Sequence, residues 1–223
     1  MRREDATLFH LTETIDRHLA QLPAMSPGIA DVRAALGAFR GKIGARGAAP
    51  RRTIPACGHL EQALTLTRQQ SGAALGAAIA AALPELDWIS YDAYPAAEIG
   101  AYFPKQHAFA SLASLYDPAY ALDFDLGLLL IAPHTLYRDH RHKAAELYLP
   151  LTGPTRWRFG IDAPWEIRQT GEPVWNPPQQ LHATLVDDVP LLCLYAWTKD
   201  VHEAAQVVPA PDWAGIEADL AGR

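Results

Sequence analysis

The sequence predicts a mainly β protein with an α-helical N-terminal region, in which the strands close into a jelly-roll barrel. Two observations support this fold class. Over residues 5–45 the apolar side chains recur every three or four positions, the period of an amphipathic helix. From residue 122 onward, short apolar or alternating runs are separated by turns rich in glycine, proline and aspartate. Many short strands divided by such turns are typical of a double-sheet barrel.

The predicted helices come first along the chain. Leu8, Leu11 and Ile15 share one helical face, and Pro27 suits the first turn of a second helix. Residues 58–83 are rich in alanine and leucine and predict a third helix. Residues 46–55 form a basic break with glycine and proline, which we interpret as a solvated connector rather than an anion site. A further short helix is predicted over residues 108–115.

The predicted strands occupy the C-terminal half. They lie at 126–131, 147–151, 157–159, 173–175, 182–186 and 191–197, and a closing helix is predicted at 212–220. This order divides the chain into a helical region, residues 1–118, which packs on a barrel formed by residues 119–200. Residues 201–223 form a C-terminal tail. The apolar stripes of the N-terminal helices exceed what one barrel face needs, so we also predict a homodimer.

Composition narrows the function classes. The chain has 223 residues, of which 49% are hydrophobic, and a formal net charge of -6. The negative charge argues against nucleic acid as the main partner. No continuous apolar segment resembles a secretory signal or could span a bilayer, which predicts a cytoplasmic protein without a membrane partner. Cys57 and Cys193 lack metal or redox spacing, and Cys193 in an apolar strand is interpreted as a small buried hydrophobe.

Three histidines and one glutamate form the clearest candidate site. They occur in the two strings His140-x-His142-x3-Glu146-x6-Gly153 and Gly171-x5-Pro177-x4-His182. Imidazole nitrogens and a carboxylate oxygen are ordinary ligands of a divalent transition metal. In an extended chain, residues two apart face one side, and a turn at 143–145 would bring the two pairs together. A strand ending near His182 would complete the site.

The two strings resemble the two sequence motifs of the cupins. Gln179 stands where the second motif usually has glycine, and Val186 where it usually has asparagine; both departures concern turn geometry. The resemblance implies a cupin double-stranded β-helix holding one divalent ion, such as zinc, iron or manganese. It assigns His140, His142, Glu146 and His182 as the ligands.

Two tyrosines extend the resemblance. With Tyr137 three residues before His140 and Tyr148 two after Glu146, the string resembles the bacterial cupin-type lyases of dimethylsulfoniopropionate. That resemblance implies a β-elimination yielding dimethyl sulfide and acrylate from a small-molecule substrate. It implies that Tyr148 is the catalytic base and that Tyr137 binds or orients the substrate. For His140 it leaves two roles, metal ligand and substrate contact.

Chemical reasoning supports this assignment and leaves alternatives open. Tyrosine ordinarily titrates near pH 10, but a metal cation beside Tyr148 would favour phenolate. A sulfonium cation suits aromatic faces, and Trp197 is our candidate substrate contact among the strand aromatics. The others are Trp157, Phe159, Trp175 and Tyr195. A different metal-dependent cupin enzyme, such as a dioxygenase or isomerase, and a non-catalytic binding cupin remain alternatives, since this fold hosts many functions.

Overall fold

The computed structural model describes residues 3–23, 26–39, 49, 54–91, 94–117 and 122–222. Most of the predicted connector at 46–55 lies outside these ranges. The helices are α1 (Arg3–Leu19), α2 (Ile29–Phe39), α3 (Leu60–Gln70), α4 (Ala73–Ala82), α5 (Ala96–Ile99), α6 (Phe103–Gln106) and α7 (Trp213–Ala221). Short 3-10 segments cover Pro55–His59 and Leu83–Glu85.

Ten strands follow or flank these helices within the described ranges. They are β1 (His107–Asp117), β2 (Leu122–Ile131), β3 (Thr135–Arg141), β4 (Glu146–Pro150), β5 (Thr155–Arg158), β6 (Glu166–Arg168), β7 (Val174–Asn176), β8 (His182–Val186), β9 (Leu191–Trp197) and β10 (Gln206–Val207). Two antiparallel five-stranded sheets result, in the orders β1-β2-β9-β4-β7 and β10-β3-β8-β5-β6. The predicted mainly β barrel with N-terminal helices is confirmed.

The first sheet carries the N-terminal helices on its outer face, and we call it the helix-backed sheet. Leu147, Leu149 and Leu151 on its outer face belong to one apolar cluster with Leu11 and Ile79 of the helices. Alternate residues of the same strands face the barrel interior, where they form a second cluster. Because both faces of this sheet are buried, its strands are nearly continuous apolar runs.

The second sheet, called the opposite sheet here, is covered on its outer face by α7. Arg158 of β5 is buried there and forms ion pairs with Asp139 and Asp212. Trp213, the first residue of α7, donates its indole N–H to Asp139 at 2.8 Å. The predicted closing helix therefore exists, and a buried charge network attaches it to the sheet.

Two local predictions were wrong. Residues 108–115, predicted as a helix, lie in β1; Ala108, Ala110 and Leu112 face the helical cluster, so the apolar period is two rather than three or four. The first sheet consequently begins at His107, before the predicted boundary at residue 119. The predicted helix 58–83 is divided at Gly72, whose φ of 113° is incompatible with a continuing right-handed helix.

The apolar stripes that prompted the homodimer prediction are buried within the chain. Leu8, Leu11, Ile15 and Leu19 each have at most 1% of their surface exposed. They therefore provide no argument for a second copy. None of the described helices combines the length and the apolar character that crossing a membrane requires.

Candidate metal centre and active site

The three histidines and the glutamate meet at one end of the barrel interior. His140 and His182 are direct partners on the paired strands β3 and β8, and His142 follows β3. Glu146 begins β4 in the facing sheet, so the short turn after His142 crosses from one sheet to the other. His182 begins β8, as the predicted strand 182–186 requires, so no strand ends at this histidine. The four side chains are buried.

The imidazoles are held in one orientation by backbone carbonyls. The Nδ1 atoms of His140, His142 and His182 lie 2.8, 2.8 and 2.9 Å from carbonyl oxygens of Arg138, Ala144 and Gln180. Carbonyl oxygens only accept hydrogen bonds, so each Nδ1 must carry the proton. In a neutral ring the Nε2 lone pair is then free for a ligand bond, as in most histidine metal sites.

The free nitrogens converge. One ligand atom from each of the three histidines lies within 4.8 Å of the others. The Nε2 atoms of His140 and His182 are buried and lack a hydrogen-bond partner among the described residues. A buried nitrogen without a partner is costly, and a bound cation removes that cost. This donor set therefore fits a divalent transition metal, whose identity the donors leave open.

The carboxylate of Glu146 faces the same point. Its Oε2 lies 2.8 Å from Nε2 of His142 and 3.3 Å from Nε2 of His182. Burial acts against the charged form, yet His142 and then His182 hold the pKa of Glu146 well below its usual range. The reciprocal effect raises the pKa of His142 against its burial. Nδ1 of His142 already carries the proton that it donates to Ala144, so Nε2 of the neutral ring and Oε2 of the ionised carboxylate are both acceptors. Their 2.8 Å contact therefore requires a proton or a cation between them.

Two further side chains orient this carboxylate. Trp197 donates its indole N–H to Oε1 of Glu146 at 2.6 Å, and its ring lies 4.5 Å from the ring of His142. Asn176 donates to Oε2 at 3.4 Å. In the register of the helix-backed sheet, Glu146 pairs with Trp197 on one side and Asn176 on the other. Such partners keep a ligand in position.

Comparison with known proteins identifies the family. A model of the dimethylsulfoniopropionate lyase family matches residues 39–193, more than half of the chain. The chain belongs to this family of carbon–sulfur lyases. A relative in Cereibacter sphaeroides, DddL, is named for dimethylsulfoniopropionate lyase activity. It is 28% identical over 174 residues, covering 75% of this chain and 71% of DddL.

Solved structures of lyases share the fold of this family member. The dimethylsulfoniopropionate lyase DddQ from Ruegeria pomeroyi matches with a TM-score of 0.67 and 20% identity, over 91% of this chain and 96% of that one. A chain from the structures of the lyases RdDddP and RnDddQII matches with a TM-score of 0.63 and 22% identity, over 92% and 98%. At these identities the likeness shows a shared fold that extends to the N-terminal helices.

The lyase has a cavity of about 490 Å³ beside the four candidate ligands. His140 and Glu146 line it together with both predicted tyrosines and Trp197. Tyr148 lies on the same face of β4 as Glu146, and each has only 2% of its surface exposed. Burial and the neighbouring Glu146 charge raise the pKa of Tyr148 well above its usual value. The protein groups alone therefore favour the neutral phenol.

Tyr137 lies in strand β3, although no strand was predicted between residues 131 and 147. Its ring stacks on His140 at 4.0 Å, and its hydroxyl is 2.6 Å from the hydroxyl of Tyr94. Residues three apart on a regular strand would face opposite sides. Here Tyr137 pairs with Thr184 and His140 with His182, so β3 has an extra residue and a bulge that turns both side chains inward.

The other predicted aromatic residues divide into two groups. Tyr195 and Trp197 line the cavity, whereas Trp157, Phe159 and Trp175 are not among the described residues that do. Trp157 packs behind Tyr148, with ring centroids 5.1 Å apart, and Trp175 joins the helical cluster. Sequence alternation identified the strands, but only the closure of the sheets determines which face meets the cavity.

Several residues that the sequence did not single out belong to the site. Tyr91, Tyr94 and Phe109 line the cavity from the N-terminal part of the chain, and Asn176 supports Glu146. The aromatic-rich stretch after residue 88 was a usable signal for the two tyrosines. Asn176 had a weaker signal, its position as a polar residue at the end of a short apolar strand.

Of the two departures from the cupin motif, Val186 ends strand β8 and Gln179 lies in the turn before it. Gln179 has a φ of 64°, in the left-handed region that a glycine would occupy without strain. Its backbone N–H donates to the carbonyl of His142 at 2.8 Å. The turn therefore keeps its form and supports a candidate ligand although the residue is not glycine.

Proposed function

We propose that this lyase cleaves dimethylsulfoniopropionate by β-elimination, with Tyr148 as the base. The observation that carries the proposal is the position of Tyr148. It is buried on the same strand face as Glu146, and both line one cavity with Trp197 and the candidate ligand His140. Family membership supplies the substrate class.

The elimination breaks a C–H bond and a C–S bond and forms one C=C double bond. Tyr148 accepts the proton from the carbon next to the substrate carboxylate. The electron pair of that C–H bond forms the double bond of acrylate, and the pair of the C–S bond leaves with sulfur as dimethyl sulfide. Charge and atoms balance with one proton released to solvent.

The proposed ligands are His140, His142, Glu146 and His182. A divalent cation held by them would supply a Lewis acid for the substrate carboxylate and a positive charge that opposes the raised pKa of Tyr148. Trp197 and Asn176 keep Glu146 in the orientation that ligation needs. Glu146 is therefore occupied by these contacts and is a poorer candidate for the base.

Tyr137 is proposed to orient the substrate. Its hydroxyl is bonded to that of Tyr94, and burial is the main cause of the raised pKa of both groups. Both phenols therefore remain protonated at neutral pH. One hydroxyl donates to the other, and the O–H of the accepting residue can donate to a substrate. With its ring stacked on His140, Tyr137 has a restricted orientation suited to positioning a carboxylate.

The direct test is incubation of metal-reconstituted protein with dimethylsulfoniopropionate. We expect equal amounts of dimethyl sulfide and acrylate, and no release from a His182→Ala protein treated in the same way. Absence of both products from protein with full metal content would contradict the proposal. Oxygen consumption by the iron form would then support the dioxygenase alternative.

A further inference from the structure

A carboxylate that the proposed reaction does not use lies in the same cavity. Asp125 of β2 pairs in register with Trp197, which in turn pairs with Glu146. The three residues form one row across adjacent strands of the helix-backed sheet, and all three line the cavity. Adjacent strands are about 4.8 Å apart, so the backbones at Asp125 and Glu146 are separated by roughly 10 Å.

Two hydroxyl groups hold this carboxylate. Ser111 donates to Oδ1 of Asp125 at 2.7 Å, and Tyr195 donates to Oδ2 at 3.2 Å. Donors on both oxygens stabilise the ionised form. Strand β2 has glycine at residue 127, where an added Cβ would lie 2.5 Å from the Tyr195 ring. The glycine thus leaves the space in which Tyr195 crosses the strand to reach Asp125.

The charged side chains around the cavity are predominantly acidic. Among the described residues that line it, Asp125, Glu146 and Glu203 are acidic, and there is no lysine or arginine. Aromatic rings of Tyr91, Phe109, Tyr195 and Trp197 complete the wall. Aromatic faces and a carboxylate together attract a cation that has no hydrogen bond to donate. The part of the cavity around Asp125 therefore has the chemistry of an onium site.

We propose that Asp125 is a specificity-determining residue that recognises the positive charge of the substrate. The cavity then selects zwitterions in which a short chain joins a carboxylate, directed to the proposed ligands, to a quaternary or sulfonium group near Asp125. Because strand side chains stand roughly perpendicular to the sheet, the two ends remain roughly 10 Å apart, a separation that accommodates a short chain between the charges. This inference rests on the proposed function for the direction in which the substrate binds.

A pair of ligands that differ only in charge tests the inference without turnover. The compounds 3-(trimethylammonio)propionate and 4,4-dimethylpentanoate have the same carboxylate, chain and branched head, but only the first is cationic. Their affinities for metal-reconstituted protein are measured by calorimetry. We expect the wild-type protein to prefer the cationic compound, and Asp125→Asn to lower that preference by about tenfold or more, because a desolvated charge contact is lost.

The matched control is Asp188→Asn, which removes the same charge from a side chain that is 78% exposed outside the cavity. We expect it to leave the preference unchanged. Ser111→Ala and Tyr195→Phe, each removing one donor to Asp125, should lower it by smaller factors. They also keep the inference testable if Asp125→Asn fails to fold.

A wild-type protein without a preference for the cationic compound would overturn the inference. An unchanged preference in a folded Asp125→Asn protein, or in both donor variants, would do the same. If the protein releases dimethyl sulfide while Asp125→Asn keeps the preference, only this inference fails. If the preference depends on Asp125 but no dimethyl sulfide forms, the role of Asp125 stands and the proposed reaction fails.

Discussion

The helix-backed sheet and the opposite sheet bury their outer faces by different means. Behind β4 and β9 the outer face is leucine packed against helices, as at Leu149 and Leu194. The outer face of β5 carries Arg156 and Arg158. Helix α7 packs over Arg158, which forms ion pairs with Asp139 and with Asp212 just before the helix. One face is stabilised by apolar burial that depends little on geometry, whereas the other depends on exact pairing of buried charges.

The inner faces also differ. The opposite sheet contributes His140 and His182 from paired strands, and the helix-backed sheet contributes Glu146, Tyr148, Trp197 and Asp125. The imidazoles and the carboxylate thus approach from facing sheets. A cation bound between them would join the two sheets as well as serve the reaction.

The largest expected effect comes from removing a candidate ligand from either sheet. His182→Ala or Glu146→Ala should abolish activity and sharply lower metal content, because the site loses one of its four candidate donors. Trp197→Phe, which removes only a partner of Glu146, should weaken metal affinity by about 10–100-fold. Elemental analysis and metal titration measure these differences. Full metal occupancy in both His142→Ala and His182→Ala would show that the ligand assignment is wrong.

The next largest effect is a difference in the free energy of unfolding between variants of two arginines on one face of β5. Arg158→Met leaves the buried Asp139 with the indole N–H of Trp213 but without its ion-pair partner, and should cost about 3–5 kcal/mol of unfolding free energy. Arg156→Met breaks a half-exposed pair with Asp187 and should cost about 1 kcal/mol or less. Urea unfolding of both variants measures the contrast. Equal losses would mean that the buried Arg158 network contributes no more to stability than the half-exposed pair.

A third experiment compares the two tyrosines, one on each sheet. Tyr148→Phe keeps the ring that packs on Trp157 but removes the oxygen proposed to accept the proton. Turnover should fall by at least about a hundredfold while folding and metal content persist. Tyr137→Phe should reduce turnover less, since its proposed role is orientation. Acrylate release by Tyr148→Phe at a near wild-type rate would require another base, with His140 the first candidate.

The smallest expected effect is at the turn before β8. Gln179→Gly removes the cost of a left-handed residue and should stabilise the protein by about 1 kcal/mol or less, without changing metal content. Gln179→Ala keeps the Cβ and serves as the control, with no such gain expected. Thermal unfolding resolves the difference. A destabilised Gln179→Gly protein would mean that the glutamine side chain contributes more than its backbone strain costs.

The sequence alone predicted the class of fold and the candidate ligands. Helical and strand periods are local properties, and so is the spacing of His140, His142 and Glu146 within one strand and turn. The local period failed at residues 108–115, where small alanines gave no clear distinction between a helix and a strand. It also failed at Gly72, because a single residue can divide a run that is otherwise uniformly helical.

The tertiary structure alone decided which side chains meet the candidate centre. Asp125, Tyr94 and Asn176 lie well away from Glu146 along the chain and reach the cavity or its rim through sheet register and closure of the barrel. The bulge in β3 turns Tyr137 to the interior. Regular alternation along the strand would have placed Tyr137 and His140 on opposite faces of the sheet. Residue spacing specifies neighbours along one strand, whereas pairing between strands that are distant in sequence specifies neighbours across the cavity.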